Sequence, residues 1–190
     1  MPTGGVSRRV LYVVACAAPP AQQVDELVRA AEADGWQVCV IATPNALAFL
    51  DVPELETLTG YPVRSTYKHP SDADALPPAQ AIAVAPATFN TVNKWAAGIS
   101  DTLALGLLTE AIGKGLPIVA MPFLNRAQAA HPAFEQSLQR LRASGVRVLY
   151  GSDILELHEP GGGFERARLF PWTRILDAIN RVMSEQDQRG

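Results

Sequence analysis

The chain has few of the residues that mark metal, disulfide or nucleic-acid chemistry. It contains two cysteines, Cys16 and Cys39, and three scattered histidines, with no Cys-x-x-Cys or His-Glu-x-x-His spacing, so no metal site is expected. Both cysteines lie at the ends of apolar runs, where a small buried hydrophobe is the expected role, and a reduced cytoplasmic protein fits. No stretch concentrates enough lysine and arginine to hold a phosphate backbone, which argues against a nucleic-acid partner.

Signature motifs of several common protein classes are also missing. The turn after the first apolar run reads ACAAPPAQQ instead of G-x-G-x-x-G, which disfavours a dinucleotide bound in the usual way. There is no P-loop, and no G-x-S-x-G elbow presents a serine nucleophile. The apolar run from Val10 to Ala18 is far shorter than the roughly 18 to 20 residues of a membrane span, so we expect a buried strand and no membrane partner.

Short apolar runs alternate with helical patterns along the chain. The runs are continuous, as in strands that are covered on both faces, and they lie at 9–16, 37–43, 81–87, 116–122 and 146–150. This alternation predicts an α/β fold, a three-layer α/β/α sandwich with a mostly parallel, Rossmann-like sheet. We expect one domain over residues 1–190, with flexible loops near 66–80 and 157–171.

Small and neutral polar residues gather where ligands bind in such folds. Ligands of doubly wound sheets lie beyond the carboxyl ends of the strands, which selects residues 15–18, 43–46, 86–91 and 121–125. Alanine and proline permit close approach, and threonine and asparagine offer neutral hydrogen bonds, which suits a planar heteroaromatic ring with a ribityl phosphate. A helix that starts near Thr88 or Asn90 would also favour an anion, although the same spacing is explained equally well by simple helix capping.

Three segments resemble one family. PATFNTVNKWAAGISDTL, residues 86–103, resembles the Pro-Ala-Ser-Ala-Asn-Thr segment of the homo-oligomeric flavin-containing cysteine decarboxylases, the flavoprotein superfamily of phosphopantothenoylcysteine decarboxylase and the epidermin-type lantibiotic decarboxylases. MPFLNRAQAAHPAF, residues 121–134, is similar to the family's Pro-x-Met-Asn motif, and LTGYPVRS, residues 58–65, to its Ser-Gly-x-Pro-Val turn. With TPNALAF after the second strand, the likeness spans most of residues 8–150.

The resemblance implies an FMN-dependent enzyme in which FMN lies between the subunits of a homotrimer. In this family the flavin oxidises the carbon that bears the thiol of a terminal cysteine, and the resulting thioaldehyde loses carbon dioxide, so a small-molecule or peptidyl thiol carboxylate is the expected substrate. By resemblance, Asn125 would hold the substrate carboxylate. The implied cofactor-binding residues are Ala15, Cys16, Thr43, Pro86, Ala87, Thr88, Asn90 and Thr91.

The chain departs from the family pattern mainly at the positions that match the family's catalytic residues. The position of the family's catalytic histidine falls on Asp72, and the nearest histidine is His69, so either is a candidate base, while a solvated loop histidine is the alternative for His69. Leu124 replaces the methionine of Pro-x-Met-Asn, and residues 151–168 lack the cysteine of the coenzyme A pathway enzymes. FMN binding is therefore favoured over cysteine decarboxylation.

The sequence is also compatible with two other functions. The departures at Asp72 and in residues 151–168 are also compatible with a non-catalytic flavin-binding or regulatory subunit. A flavin prenyltransferase would need positive charge for a prenyl phosphate, which Arg126, Arg166 and Arg168 would offer, although surface arginines are usually only solvated.

Overall fold

Strands and helices alternate along the chain as the apolar runs predict. The computed structural model describes residues 8–73 and 76–188, so part of the predicted loop 66–80 and both ends of the predicted domain 1–190 lie outside the described residues. The strands are β1 (Val10–Ala15), β2 (Gln37–Ala42), β3 (Ala81–Ala87), β4 (Ile118–Pro122) and β5 (Arg147–Val148). The helices are α1 (Val24–Ala33), α2 (Val52–Thr59), α3 (Phe89–Ala96), α4 (Leu103–Gly113), α5 (Arg126–Ala129), α6 (Pro132–Ala143), α7 (Gly163–Ala167) and α8 (Trp172–Asp187).

The five strands form one sheet in the order β2-β1-β3-β4-β5, and every neighbouring pair is parallel. All residues of β1, β3 and β4 are buried, which explains why these strands appear as continuous apolar runs. On one face α1 and α8 cover the sheet, with Leu27 and Ile175 fully buried. On the other face α3, α4 and α6 cover it, with Leu108 and Leu138 fully buried. The predicted three-layer sandwich is confirmed.

Two strands begin later than the apolar runs suggest. The predicted strand 116–122 begins only at Ile118, because the Leu116 N–H donates to the Ala111 carbonyl at 3.0 Å and so closes the end of α4. Similarly, the predicted strand 146–150 begins only at Arg147, because the Val146 N–H donates to the Leu141 carbonyl at 3.0 Å at the end of α6, and β5 ends at Val148. In both places a helix cap uses backbone that the sequence pattern assigns to a strand.

The two predicted loops differ in the structure. The prediction of a loop over 157–171 is partly wrong, because α7 lies within it. Gly163 is buried there, and a Cβ at this position would come within 3.3 Å of Pro19 Cγ and 3.4 Å of His158 Cε1. Close backbone approach therefore docks α7 on the turn after β1. Residues 66–73 and 76–80 contain no helix or strand, as predicted.

The order of the strands places a crevice between β1 and β3. The chain leaves β1 toward α1 on one face of the sheet and leaves β3 toward α3 on the other. At such a switch point the two connections diverge, and ligands bind beyond the carboxyl ends of the strands. None of the helices in the described part of the chain is long and apolar enough to cross a membrane.

Candidate functional site

A cleft opens at the carboxyl edge of the sheet, where β1 and β3 diverge. Its volume is about 560 Å³, within the range of roughly 300 to 1,000 Å³ that is typical of small-molecule sites. The segments after β1, β2 and β3 and the start of α4 form its walls, with Ala17, Thr43, Pro44, Asn45, Thr88, Asn90, Thr91, Lys94, Thr102 and Leu105 as lining residues. The structure thus brings together four of the predicted cofactor-binding residues, Thr43, Thr88, Asn90 and Thr91.

The other four predicted cofactor-binding residues, Ala15, Cys16, Pro86 and Ala87, lie directly behind this lining. They are buried, and backbone hydrogen bonds join them to the neighbouring strand ends. The Cys16 N–H donates to the Pro86 carbonyl at 3.1 Å, and the Thr43 N–H donates to the Ala15 carbonyl at 3.0 Å. These small residues do not line the cleft themselves, and they hold the strand ends that carry its lining.

Thr88 is a helix cap and a cleft residue at once. Its Oγ1 accepts a hydrogen bond from the Thr91 N–H at 3.3 Å, and the two threonine hydroxyls lie 3.0 Å apart. A hydroxyl has one donor and two acceptor sites, so after Thr88 donates to Thr91 Oγ1 and accepts the Thr91 N–H, one acceptor site is left for a ligand. The capping and ligand-binding interpretations of this segment are therefore compatible. The first turn of α3 borders the cleft, and the free N–H groups of a helix start favour an anion there.

Cys16 lies next to the cleft but does not line it. Its side chain is fully buried, and burial raises the pKa of its thiol, while hydrogen bonds with Thr91 and Thr88 offset part of this effect. A buried thiol with a raised pKa stays protonated near neutral pH and is a poor nucleophile. The arrangement supports a packing role for Cys16 beneath the threonines.

Lys94 supplies the only ionisable side chain among the described residues that line the cleft. Its Nζ lies 2.5 Å from Asp101 Oδ2, and this ion pair joins α3 to the segment before α4.

Sequence reasoning missed two of the lining residues, Lys94 and Thr102. Lys94 follows Asn90 by one helical turn, a spacing that could have revealed it. Thr102 caps α4 through the Leu105 N–H, and only the tertiary fold brings that helix start to the cleft.

Asn125 lies at the same edge of the sheet, just after β4, but it does not line this cleft in the described structure. It caps the short helix α5, because its Oδ1 accepts from the Gln128 N–H at 2.9 Å and its N–H donates to Gln128 Oε1 at 3.2 Å. A backbone bridge joins Asn125 to His158, and Arg126 pairs with Glu159 at 2.8 Å. These two interactions hold the segment before α7 next to Asn125.

The two candidate bases, His69 and Asp72, form one exposed turn away from the cleft lining. The His69 N–H donates to Asp72 Oδ2 at 3.2 Å, and the Asp72 N–H donates to the His69 carbonyl at 2.9 Å. The His69 Nδ1 atom lies 2.7 Å from Ser71 Oγ. Tyr67 anchors this loop by donating to the Thr102 carbonyl at 3.3 Å. Among the described residues, no group of three or more His, Cys, Asp or Glu side chains could hold a metal ion.

Comparisons with known proteins agree with this geometry. A sequence profile of the flavoprotein family matches residues 6–184. A cysteine/cysteine sulfinic acid decarboxylase of an unknown prokaryotic organism is 36% identical over 80 residues, which are 42% of this chain and 19% of that protein. The coenzyme A biosynthesis bifunctional protein CoaBC of Escherichia coli K12 is 27% identical over 139 residues, 70% of this chain and 33% of that protein.

The chain thus spans about a fifth to a third of the length of these curated relatives. Among solved structures, the cypemycin decarboxylase CypD superposes with a TM-score of 0.68 at 23% identity, over 95% of this chain and 96% of that one. This likeness confirms the fold. Because the family profile covers nearly the whole sequence, the chain belongs to the flavoprotein family.

Proposed function

We propose that this protein binds FMN in the cleft between β1 and β3. The observation that carries the proposal is that Thr43, Thr88, Asn90 and Thr91 converge on one cavity at the switch point of the sheet. FMN binds at the β1/β3 switch point in flavodoxin-like sheets, which have the same strand order 2-1-3-4-5. Membership of the flavoprotein family supports a flavin as the ligand.

The residues present fit FMN in size and chemistry. The buried alanines and Pro86 behind the lining leave room for a flat ring close to the backbone, and the threonines and asparagines offer uncharged donors and acceptors. The start of α3, capped by Thr88, provides N–H groups and a positive dipole end for a phosphate. No residue of the described lining places a negative charge where the phosphate would bind.

The reaction that we propose is FMN-dependent decarboxylation of a cysteine-containing thiol carboxylate, either a small molecule or the C-terminus of a peptide. Bound FMN would supply the two-electron oxidation of the carbon that bears the thiol. Asn125 would bind the substrate carboxylate, since the hydrogen bonds of the described chain use its Oδ1 and its N–H and leave the Nδ2 group for a ligand. The similar proteins include cysteine decarboxylases, which supports this class of substrate.

His69 is the proposed base, and Asp72 is a positioning residue that holds the turn around it. The described lining of the cleft contains no histidine or carboxylate, so the base has to come from outside that lining. His69 is exposed on a loop, where a second copy of the chain can receive it. This arrangement fits the homotrimer that the family resemblance implies, with each cleft completed across a subunit interface.

Absorption spectroscopy and a decarboxylation assay test the proposal together. The purified protein should show the visible flavin bands, or gain them on addition of FMN, and it should release carbon dioxide from cysteine or from a peptide with a C-terminal cysteine. His69→Ala should abolish this release and leave FMN binding intact. A yellow protein that releases none from either substrate would point to a flavin-binding subunit, and a mass increase of the flavin with prenyl phosphate would point to a prenyltransferase.

The assembly and the cellular compartment are also proposals. Both cysteines are free and buried, which suits the reducing cytoplasm. Light scattering of the purified protein should give three times the chain mass of 20.4 kDa, and a monomer that decarboxylates would contradict the shared site.

A further inference from the structure

A second cavity lies on the face of the sheet that α3, α4 and α6 cover, and we call it the α4 pocket. Its volume is about 480 Å³, within the range of roughly 300 to 1,000 Å³ that is typical of small-molecule sites. Tyr12 of β1 and Ile41 of β2 form its floor, and Leu103 and Leu107 of α4 form one wall. No described residue lines both this pocket and the cleft between β1 and β3, so the two are separate sites.

The lining of the α4 pocket is mostly apolar. Leu76 and Pro78 lie opposite the leucines of α4 and complete the apolar lining. The Tyr12 hydroxyl donates to the Pro77 carbonyl at 2.8 Å, which holds this segment beside the floor. In such surroundings each buried methylene group of a ligand tightens binding by about threefold to fourfold. The lining therefore favours a ligand with an apolar chain.

Tyr67 forms a further wall because α4 carries a glycine beneath it. The Tyr67 hydroxyl donates to the Thr102 carbonyl at 3.3 Å, and a Cβ at Gly106 would overlap that hydroxyl. A glycine inside a helix costs stability relative to alanine, but here it lets the tyrosine lie directly on α4. Tyr67 thus closes the pocket on the side of the loop that precedes β3.

Both charged residues of the described lining, Arg64 and Lys68, are positive. The backbone of Arg64 is fixed against β2, because its N–H donates to the Val40 carbonyl at 3.2 Å and its carbonyl accepts the Ala42 N–H at 2.8 Å. Its Nη2 donates to the Thr66 carbonyl at 3.2 Å, and a guanidinium has five N–H donors, so donors are left for an anion. A guanidinium matches the geometry of a carboxylate.

We infer that the α4 pocket binds an aliphatic carboxylate, with its chain between Ile41 and Leu107 and its carboxylate at Arg64. Charge complementarity and the apolar lining together select this class, since a neutral chain lacks the charge and a small anion lacks the chain. The inference goes beyond the proposed function and does not depend on it, because the pocket lies outside the proposed FMN site.

Isothermal titration calorimetry of the full chain with octanoate tests the inference. One octanoate should bind per chain, and hexanoate, which is two methylene groups shorter, should bind about tenfold more weakly. Both 1-octanol and octylamine should bind at least about tenfold more weakly than octanoate, because they cannot accept a charge-assisted hydrogen bond from Arg64. Arg64→Met should cause a similar loss, and Arg64→Lys should retain part of the affinity. Leu107→Phe fills part of the pocket and should also weaken binding.

Arg140 supplies a matched control. It lies on α6 and does not line the α4 pocket, so Arg140→Met makes the same change in net charge elsewhere and should bind octanoate like the wild type. Absence of octanoate binding, equal affinity for octanoate and 1-octanol, or equal loss in Arg64→Met and Arg140→Met would overturn the inference. Displacement of octanoate by FMN in a one-to-one manner would place the probe in the cleft and would also overturn it. Failure of FMN to bind would refute the proposed function alone.

Discussion

Replacing Thr88 by alanine should weaken both the fold and FMN binding, and each effect has a separate cause. The Thr88 Oγ1 accepts the Thr91 N–H at 3.3 Å at the start of α3, and loss of such a cap costs about 1 kcal/mol of unfolding free energy. With a urea dependence of about 2 kcal/mol per molar, the unfolding midpoint of the apoprotein should fall by about 0.5 M. The same hydroxyl lines the cleft, and losing one neutral hydrogen bond to the flavin should raise the dissociation constant about fivefold.

Asp51 offers a cap of the same kind away from the cleft. Its Oδ1 accepts the Glu54 N–H at 3.1 Å at the start of α2, and it does not line the cleft. Asp51→Ala should lower the urea midpoint by a similar amount and leave the FMN dissociation constant unchanged. Thr88→Ser keeps the hydroxyl and should restore most of both properties. If Thr88→Ala binds FMN as tightly as Asp51→Ala does, the reasoning that places the flavin beside Thr88 is refuted.

Three further predictions concern packing and ionisation. Gly163→Ala puts a Cβ at 3.3 Å from Pro19 and 3.4 Å from His158, so it should destabilise the protein by about 1 kcal/mol and increase proteolysis around α7. Gly113→Ala adds a Cβ that meets nothing within 4 Å and should raise the unfolding free energy by about 0.5 to 1 kcal/mol in urea titrations. Burial raises the pKa of the Cys39 thiol from 9.0 to about 12, so it stabilises the folded state fully below pH 9 and progressively less as the pH rises toward 12. Unfolding midpoints measured over that interval should fall less steeply in Cys39→Ala than in the wild type.

The central strands of the fold could be predicted because strands that are buried on both faces consist of continuous apolar residues. The run 81–87 coincides with β3, whose residues are all buried. By contrast, the predicted strand 146–150 is longer than β5, and its first residue, Val146, closes the end of α6 instead. Helix α7 was missed because contact with Pro19 stabilises it, and such contact leaves no local pattern.

Some residues of the candidate site could be predicted from the sequence, and others could not. Thr88, Asn90 and Thr91 directly follow a buried strand, so their common position could be predicted from the rule for strand ends. Thr102 and Leu105 reach the cleft only through the path of the chain between β3 and β4, which sequence spacing does not contain. For His69 and Asp72 the sequence indicated a loop correctly, and neither side chain lines the described cleft.

The most direct test of FMN binding between β1 and β3 is a titration of flavin-free protein with FMN, followed by absorbance after removal of unbound ligand. Binding of one flavin per chain in the wild type, with weaker binding in Thr88→Ala and unchanged binding in Asp51→Ala, is the expected result. A protein that stays colourless at saturating FMN, or that binds FMN equally well in all three forms, would contradict the account.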